Sequence, residues 1–230
     1  MAKPFTKIGK DIVIAVKAGG GDPSSNSRLR AIIQNAKAVN MPKENVERAI
    51  KRATSKDQED YKEIVYEGYA QHGIAILVET TTDNINRTVA NIRSSFTKCG
   101  GSLGTTGMLD FIFTRKSVFK IAAKPEIDLE ELEFDLIDLG GDEVFLDEET
   151  NQINIYGEFT AFGAIQKFLE EKGFELMGAD FERIPNETKE ISDEHIADVE
   201  KLIERLEEDD DVQNVYSNFD VSDEVMASLS

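Results

Sequence analysis

The first 55 residues place their apolar side chains at three- and four-residue steps, a spacing that predicts helices. Phe5, Ile8, Ile12, Ala15 and Val16 make one stripe over 4–18. Leu29, Ile32, Ile33 and Ala36 make a second, in a helix that starts between 24 and 27 and runs to 39. Val46, Ala49 and Ile50 make a third over 42–54. Gly19-Gly20-Gly21-Asp22-Pro23 ends the first helix, because glycine reaches left-handed conformations cheaply and proline cannot extend the hydrogen-bond ladder. Asn40-Met41-Pro42 separates the second from the third, with Pro42 suited to a first turn. Three short helices on short loops imply a small bundle.

Beyond the polar stretch 55–60, read as a linker, the pattern changes to β-branched and aromatic alternation. Strands are predicted over 62–70 and 73–81, joined by a hairpin at Gln71-His72-Gly73. A helix over 85–98 follows, capped by Asp83 or Asn84, with Val89, Ile92 and Phe96 inward. The glycine-rich 100–107 then leads to a strand at 108–113. From 117 to 183 the order is strand, helix, strand, strand, helix, strand, the ferredoxin-like succession. A last helix (193–207) and strand (212–216) are too small to fold alone. Short, unknotted connections favour their return to the sheet of 62–113. The expected class is α+β: an N-terminal three-helix domain, then an α/β domain carrying an inserted ferredoxin-like α+β domain. The expected bounds are 1–58, 59–115 with 186–220, the insert at 116–185, and a tail at 221–230.

Charge changes the picture more than composition does. The 230 residues carry a formal net charge of −19, and a chain so charged is repelled by nucleic acid and anionic membranes if the charge is evenly spread. It is not. Residues 1–55 hold eleven Lys/Arg against Asp11, Asp22, Glu44 and Glu47, a balance of +7, which leaves −26 for the rest. Segments 126–149 hold twelve Asp/Glu and no Lys or Arg. Arg28, Arg30, Lys37, Lys43, Arg48, Lys51 and Arg52 are the candidate phosphate contacts, aligned along two adjacent helices. The plain alternative is a solvated face, since Lys and Arg are ordinarily exposed; the segregation of signs favours the binding surface. No helix-turn-helix signature is clear, so base readout is not assigned.

Other constellations read as structural. Tyr61, Tyr66 and Tyr69 are a weak stacking platform and better as packing. The loop Gly100–Gly107 runs from a helix into a strand, the reverse of a phosphate loop, and reads as a helix cap and turn. Cys99 reads as packing and His72 as an exposed turn residue. Asp209-Asp210-Asp211 reads as a solvated loop rather than a weak Ca²⁺ or Mg²⁺ site. One cysteine and two histidines leave no cysteine cage or His-rich metal site. No nucleophile, base and orienter are spaced for catalysis, so neither an enzyme nor a cofactor is expected. No apolar run approaches a membrane span, and residues 1–10 lack a signal peptide's apolar core, so a cytoplasmic protein without membrane association is expected.

Several segments together resemble the YebC/PmpR family. They are Gly19-Gly20-Gly21-Asp22-Pro23 with Arg28-Leu29-Arg30, then Ala36-Lys37 and the run from Asn40 to Ile50. They continue with Tyr66-Glu67-Gly68-Tyr69, Thr82-Asp83-Asn84, Asn86-Arg87-Thr88-Val89, Arg93, Phe96, Lys98, Gly100-Gly101 and the run from Leu206 to Tyr216. The resemblance covers about 5–218. It implies a three-domain, cavity-bearing cytoplasmic α/β protein, in a family described as probable transcriptional regulators that bind promoter DNA, with translational activators of the ribosome among its relatives. The family usually carries a basic stretch ahead of the segment matching Phe5-Thr6-Lys7, and Ser27 and Met108 stand where it commonly has Pro and Ser. The expected partner is therefore DNA, with ribosomal RNA or the ribosome as the alternative. A scaffold that binds a basic protein at 126–149 is the reading from another class.

Overall fold

The computed structural model describes residues 2–55 and 60–221. Most of the expected linker (56–59) and all but the first residue of the expected tail lie outside them. The chain divides into two compact units, one of residues 1–59 and 115–182, the other of 60–114 and 183–230.

The first unit opens with helices α1 (Ala2–Gly19), α2 (Ser27–Ala38) and α3 (Lys43–Ala53). Their core is Ile12, Ala15, Val16, Leu29, Ile32, Ala36, Val46 and Ala53, with Ile8, Ile33, Ala49 and Ile50 partly buried against it. The turn between α1 and α2 is organised by a residue that the periodicity does not reveal. Buried Asn26 donates its amide to Ala15 O at 2.8 Å and Gly20 O at 2.9 Å, and its Oδ1 accepts from Leu29 N at 3.0 Å. One side chain thus ties the last turn of α1 and the residue after it to an orphan amide that starts α2. Gly20 makes the turn possible at φ +84°. Asp22 accepts from Ser24 N and Oγ, which holds its carboxyl below the usual carboxylate value.

The same unit contains β4 (Phe113–Ala122), α5 (Leu129–Ile137), β5 (Gly141–Asp147), β6 (Gln152–Glu158), α6 (Phe162–Glu171) and β7 (Leu176–Pro185); β4 begins and β7 ends in the other unit. The sheet order β5-β6-β4-β7 is that of a ferredoxin-like fold. Phe119, Ile121, Ile153 and Ile155 meet Leu132, Leu136, Phe162, Ile165 and Leu169 in its core. Ala31 of α2 belongs to that core as well. Asn35 of α2 donates to Ala179 O at 2.9 Å and accepts from Ala179 N at 3.1 Å, and Gln34 donates to Leu176 O at 2.6 Å. α2 therefore fastens to β7 much as a neighbouring strand would.

In the second unit, β1 (Lys62–Tyr69) and β2 (Ala75–Thr82) form the hairpin, and the sheet order is β3-β1-β2-β9, with β3 Ser102–Leu103 and β9 Val212–Ser217. α4 (Ile85–Lys98) and α7 (Asp193–Glu207) cover one face, where Ile74, Ile76, Val78, Ile92, Phe96, Val199, Leu202 and Leu206 pack. Asn84, not Asp83, caps α4, accepting from Arg87 N at 3.1 Å. Gly68 is required by close approach: a Cβ there would lie 2.8 Å from the Phe96 ring and closer still to Ser102 O.

The strand expected at 108–113 is not formed; 106–112 is a series of turns, and β4 begins at Phe113. Leu109 and Phe113, with Met108 and Ile112, instead cover the second face of the sheet against Ala75 and Leu77. Leu109 and Phe113 are buried without a strand at 108–112, while Phe111 stays exposed, because the amides around Leu109 find a side chain in place of a ladder. Buried Glu67 accepts from Gly107 N at 2.9 Å and from Leu109 N at 2.7 Å. Glu67→Gln is expected to cost about 1–3 kcal/mol, since its amide NH₂ must face one of two N–H donors. Urea denaturation checks this, and an unchanged midpoint would contradict it. The short parallel pair β8 (Lys189–Ile191) and β10 (Phe219–Val221) has no counterpart in the sequence reading.

Candidate nucleic-acid interface

The structure does not gather the seven expected cations onto one surface. Successive helical residues turn by about 100°, so Arg28 points to nearly the opposite flank of α2 from Arg30 and Lys37. Half-buried Arg28 lines a groove of about 260 Å³ with Lys7, Ile8, Asp11, Phe162 and Phe181, and is engaged by other groups of the chain. Arg30 is committed elsewhere: Nε pairs with Glu170 at 3.1 Å, and Nη1 donates to Pro23 O and Ser24 O. Its work is to join the α1–α2 turn to α6. Lys37 is exposed beside a second groove that Arg30 and Glu170 also line.

α3 is different. Val46 and Ala53 are buried, and Lys43, Glu44, Glu47, Arg48, Lys51 and Arg52 occupy the exposed arc. Lys43 pairs with Glu47 at 3.5 Å, but both side chains are well exposed, so the pair contributes little. The carboxylates sit in the first half of the helix and the cations Arg48, Lys51 and Arg52 in the second, spaced three and four apart. Among the described residues neither Arg48 nor Lys51 has an ion-pair partner; Arg52 is engaged by another group of the chain. Cations in a last turn also complement the helix dipole. That role is filled by Lys51 and Arg52 and leaves Arg48, a turn earlier, unexplained.

Two sequence readings change in the second unit. Asp211 is not a solvated loop residue: it is buried, and its Oδ2 lies 2.7 Å from Arg87 Nη2, 2.8 Å from Thr88 Oγ1 and 3.2 Å from Thr82 Oγ1. Arg87 also donates to Asp83 at 2.9 Å, and the two carboxylates raise its already high pKa further. The signal was present in sequence as Thr82, Arg87 and Thr88 beside a helix start, but nothing local connected it to residue 211. His72 is not an exposed turn residue either. It is half-buried at φ +63°, its ring stacks on His195 at 3.7 Å, and Nε2 lies 3.0 Å from Asp198 Oδ2. The two tyrosines that the structure seats in a core, Tyr66 and Tyr69, face opposite sides of the sheet, so they cannot form one stacking platform. Cys99 is buried among apolar side chains.

Among the described residues no group of three or more His, Cys, Asp or Glu is placed to hold a metal ion, and no helix is long and apolar enough to cross a membrane.

Two family models match: the TACO1/YebC N-terminal domain over residues 1–56, and the TACO1/YebC second and third domain over 61–219. A protein of Flavobacterium johnsoniae named "Probable transcriptional regulatory protein" is 63% identical over 94% of this chain and 90% of its own. One of Parabacteroides distasonis with the same name is 59% identical over 97% of this chain and 91% of its own. The crystal structure of a conserved hypothetical protein from Aquifex aeolicus is 39% identical and superposes with a TM-score of 0.83, covering 98% of this chain and 92% of that one. The chain belongs to the TACO1/YebC family.

Proposed function

We propose that this protein regulates gene expression by binding nucleic acid through the exposed half-turns of α3, with Arg48, Lys51 and Arg52 on phosphates and Lys37 and Lys43 as flanking charges. The observation that carries the proposal is the concentration of exposed cations on one short helix in a chain of net charge −19. Even dispersal would serve solubility equally well; segregation provides a local positive field that a polyanion can find. The names of the relatives support transcription as the process, and hence duplex DNA as the partner. Arg28 and Arg30 leave the contact set, because one lines a groove and the other holds Glu170 and two carbonyls. The remaining contacts reach phosphate, not base edges, so they give affinity and position without sequence readout.

Crosslinking in cells tests the proposal and names the polymer. Ultraviolet adducts are expected on peptides spanning 37–52, with duplex DNA as the recovered polymer. Ribosomal RNA on the same peptides would keep the surface and replace transcription with translation. Adducts confined to 60–221 would refute the surface.

A further inference from the structure

We propose that the solvent face of α5 is a docking surface for a basic, apolar-anchored segment of a partner protein. Leu132 and Leu136 fasten this helix to the core, and Asp128 caps it by accepting from Glu130 N and Glu131 N. Neither task involves Phe134 or Ile137, which are 76% and 58% exposed. Phe134 and Ile137 are three residues apart, and Glu130 and Glu133 each lie four residues before one of them, so Phe134 and Ile137 lie side by side with Glu130 and Glu133 around them. Among the described residues Glu130, Glu131, Glu133 and Asp138 have no ion-pair partner, whereas Asp135 pairs with Lys172 at 3.5 Å.

Charge selects the occupant. With Glu130, Glu131, Glu133 and Asp138 around the apolar pair and no Lys or Arg in α5, the face repels nucleic acid and anionic lipid, and a cationic segment is its complement. The apolar pair supplies what charge alone does not, an anchor whose burial fixes register. A second copy fits less well: its basic helices α2 and α3 keep their large apolar side chains inward.

The test uses the full-length chain and a fluorescein-labelled helical peptide of lysine and leucine, with a lysine-only peptide of equal charge as control. The lysine–leucine peptide is expected to bind at least about tenfold more tightly than the control, and Phe134→Ser with Ile137→Ser is expected to remove that advantage. Glu130→Gln with Glu133→Gln should weaken binding and flatten its salt dependence. A benzophenone on the peptide should crosslink within 126–149. Equal binding by the serine variant, crosslinks elsewhere, or self-association of the wild-type chain that the serine variant loses would each overturn the proposal.

Discussion

Asp211→Asn is expected to lower stability by about 2–4 kcal/mol, the scale of removing the charge from a buried carboxylate that accepts several hydrogen bonds, even with its guanidinium partner half-exposed. The buried carboxylate oxygen takes hydrogen bonds from two hydroxyls and a guanidinium. An amide is nearly the same size, so the loss comes from electrostatics and not from a cavity. Whichever way the asparagine turns, either an NH₂ confronts donors or a neutral carbonyl faces Arg87. Thr82 and Thr88 are fully buried, so water does not compensate them. The position magnifies the effect, because Thr81 N donates to Asp211 O at 2.8 Å where β9 begins its pairing with β2. In a chain of this size the midpoint should fall by roughly 5–15 °C. Asp210→Asn, on an exposed neighbour, should stay within about 0.5 kcal/mol. Thermal denaturation of the two variants side by side checks the contrast; equal midpoints would remove Asp211 from its structural role.

The unequal fate of these adjacent aspartates shows where sequence reading stops. Periodicity located the helices because one apolar stripe suffices to bury a helix, and Ile12, Leu29, Val46, Ile92 and Leu202 all point inward. The ferredoxin-like order was legible for the same reason: alternation and turn residues mark each strand locally. What was not legible depends on partners far along the chain. Asp211 meets Arg87 and Thr88 across more than a hundred residues, His72 meets His195 across a similar distance, and Glu67 replaces a strand partner for 107 and 109. An apolar run such as 108–113 reads as a strand until the carboxylate that binds the amides of Gly107 and Leu109 is seen. In the candidate interface, sequence supplied the residue types but not their directions. Arg30 reads like Arg48 until Glu170, 140 residues away, is found holding it.

Replacing Arg48, Lys51 and Arg52 together by glutamine is the other change with a large expected effect. These side chains are exposed and anchor no core, so the fold should remain intact. Binding to a duplex DNA should weaken on the order of tenfold or more at physiological salt, uniformly across sequences, because phosphate contacts carry no base information.

The most direct measurement is the salt dependence of that binding, followed by fluorescence anisotropy for the wild-type chain and the triple variant on one duplex. Each phosphate contact contributes about 0.9 to the slope of log affinity against log salt, so losing three should make the slope shallower by about 2.7. A wild-type chain with a steep slope and a variant flattened by that amount is the predicted result. Parallel lines, or no salt dependence in the wild-type chain, would contradict a phosphate-binding face on α3.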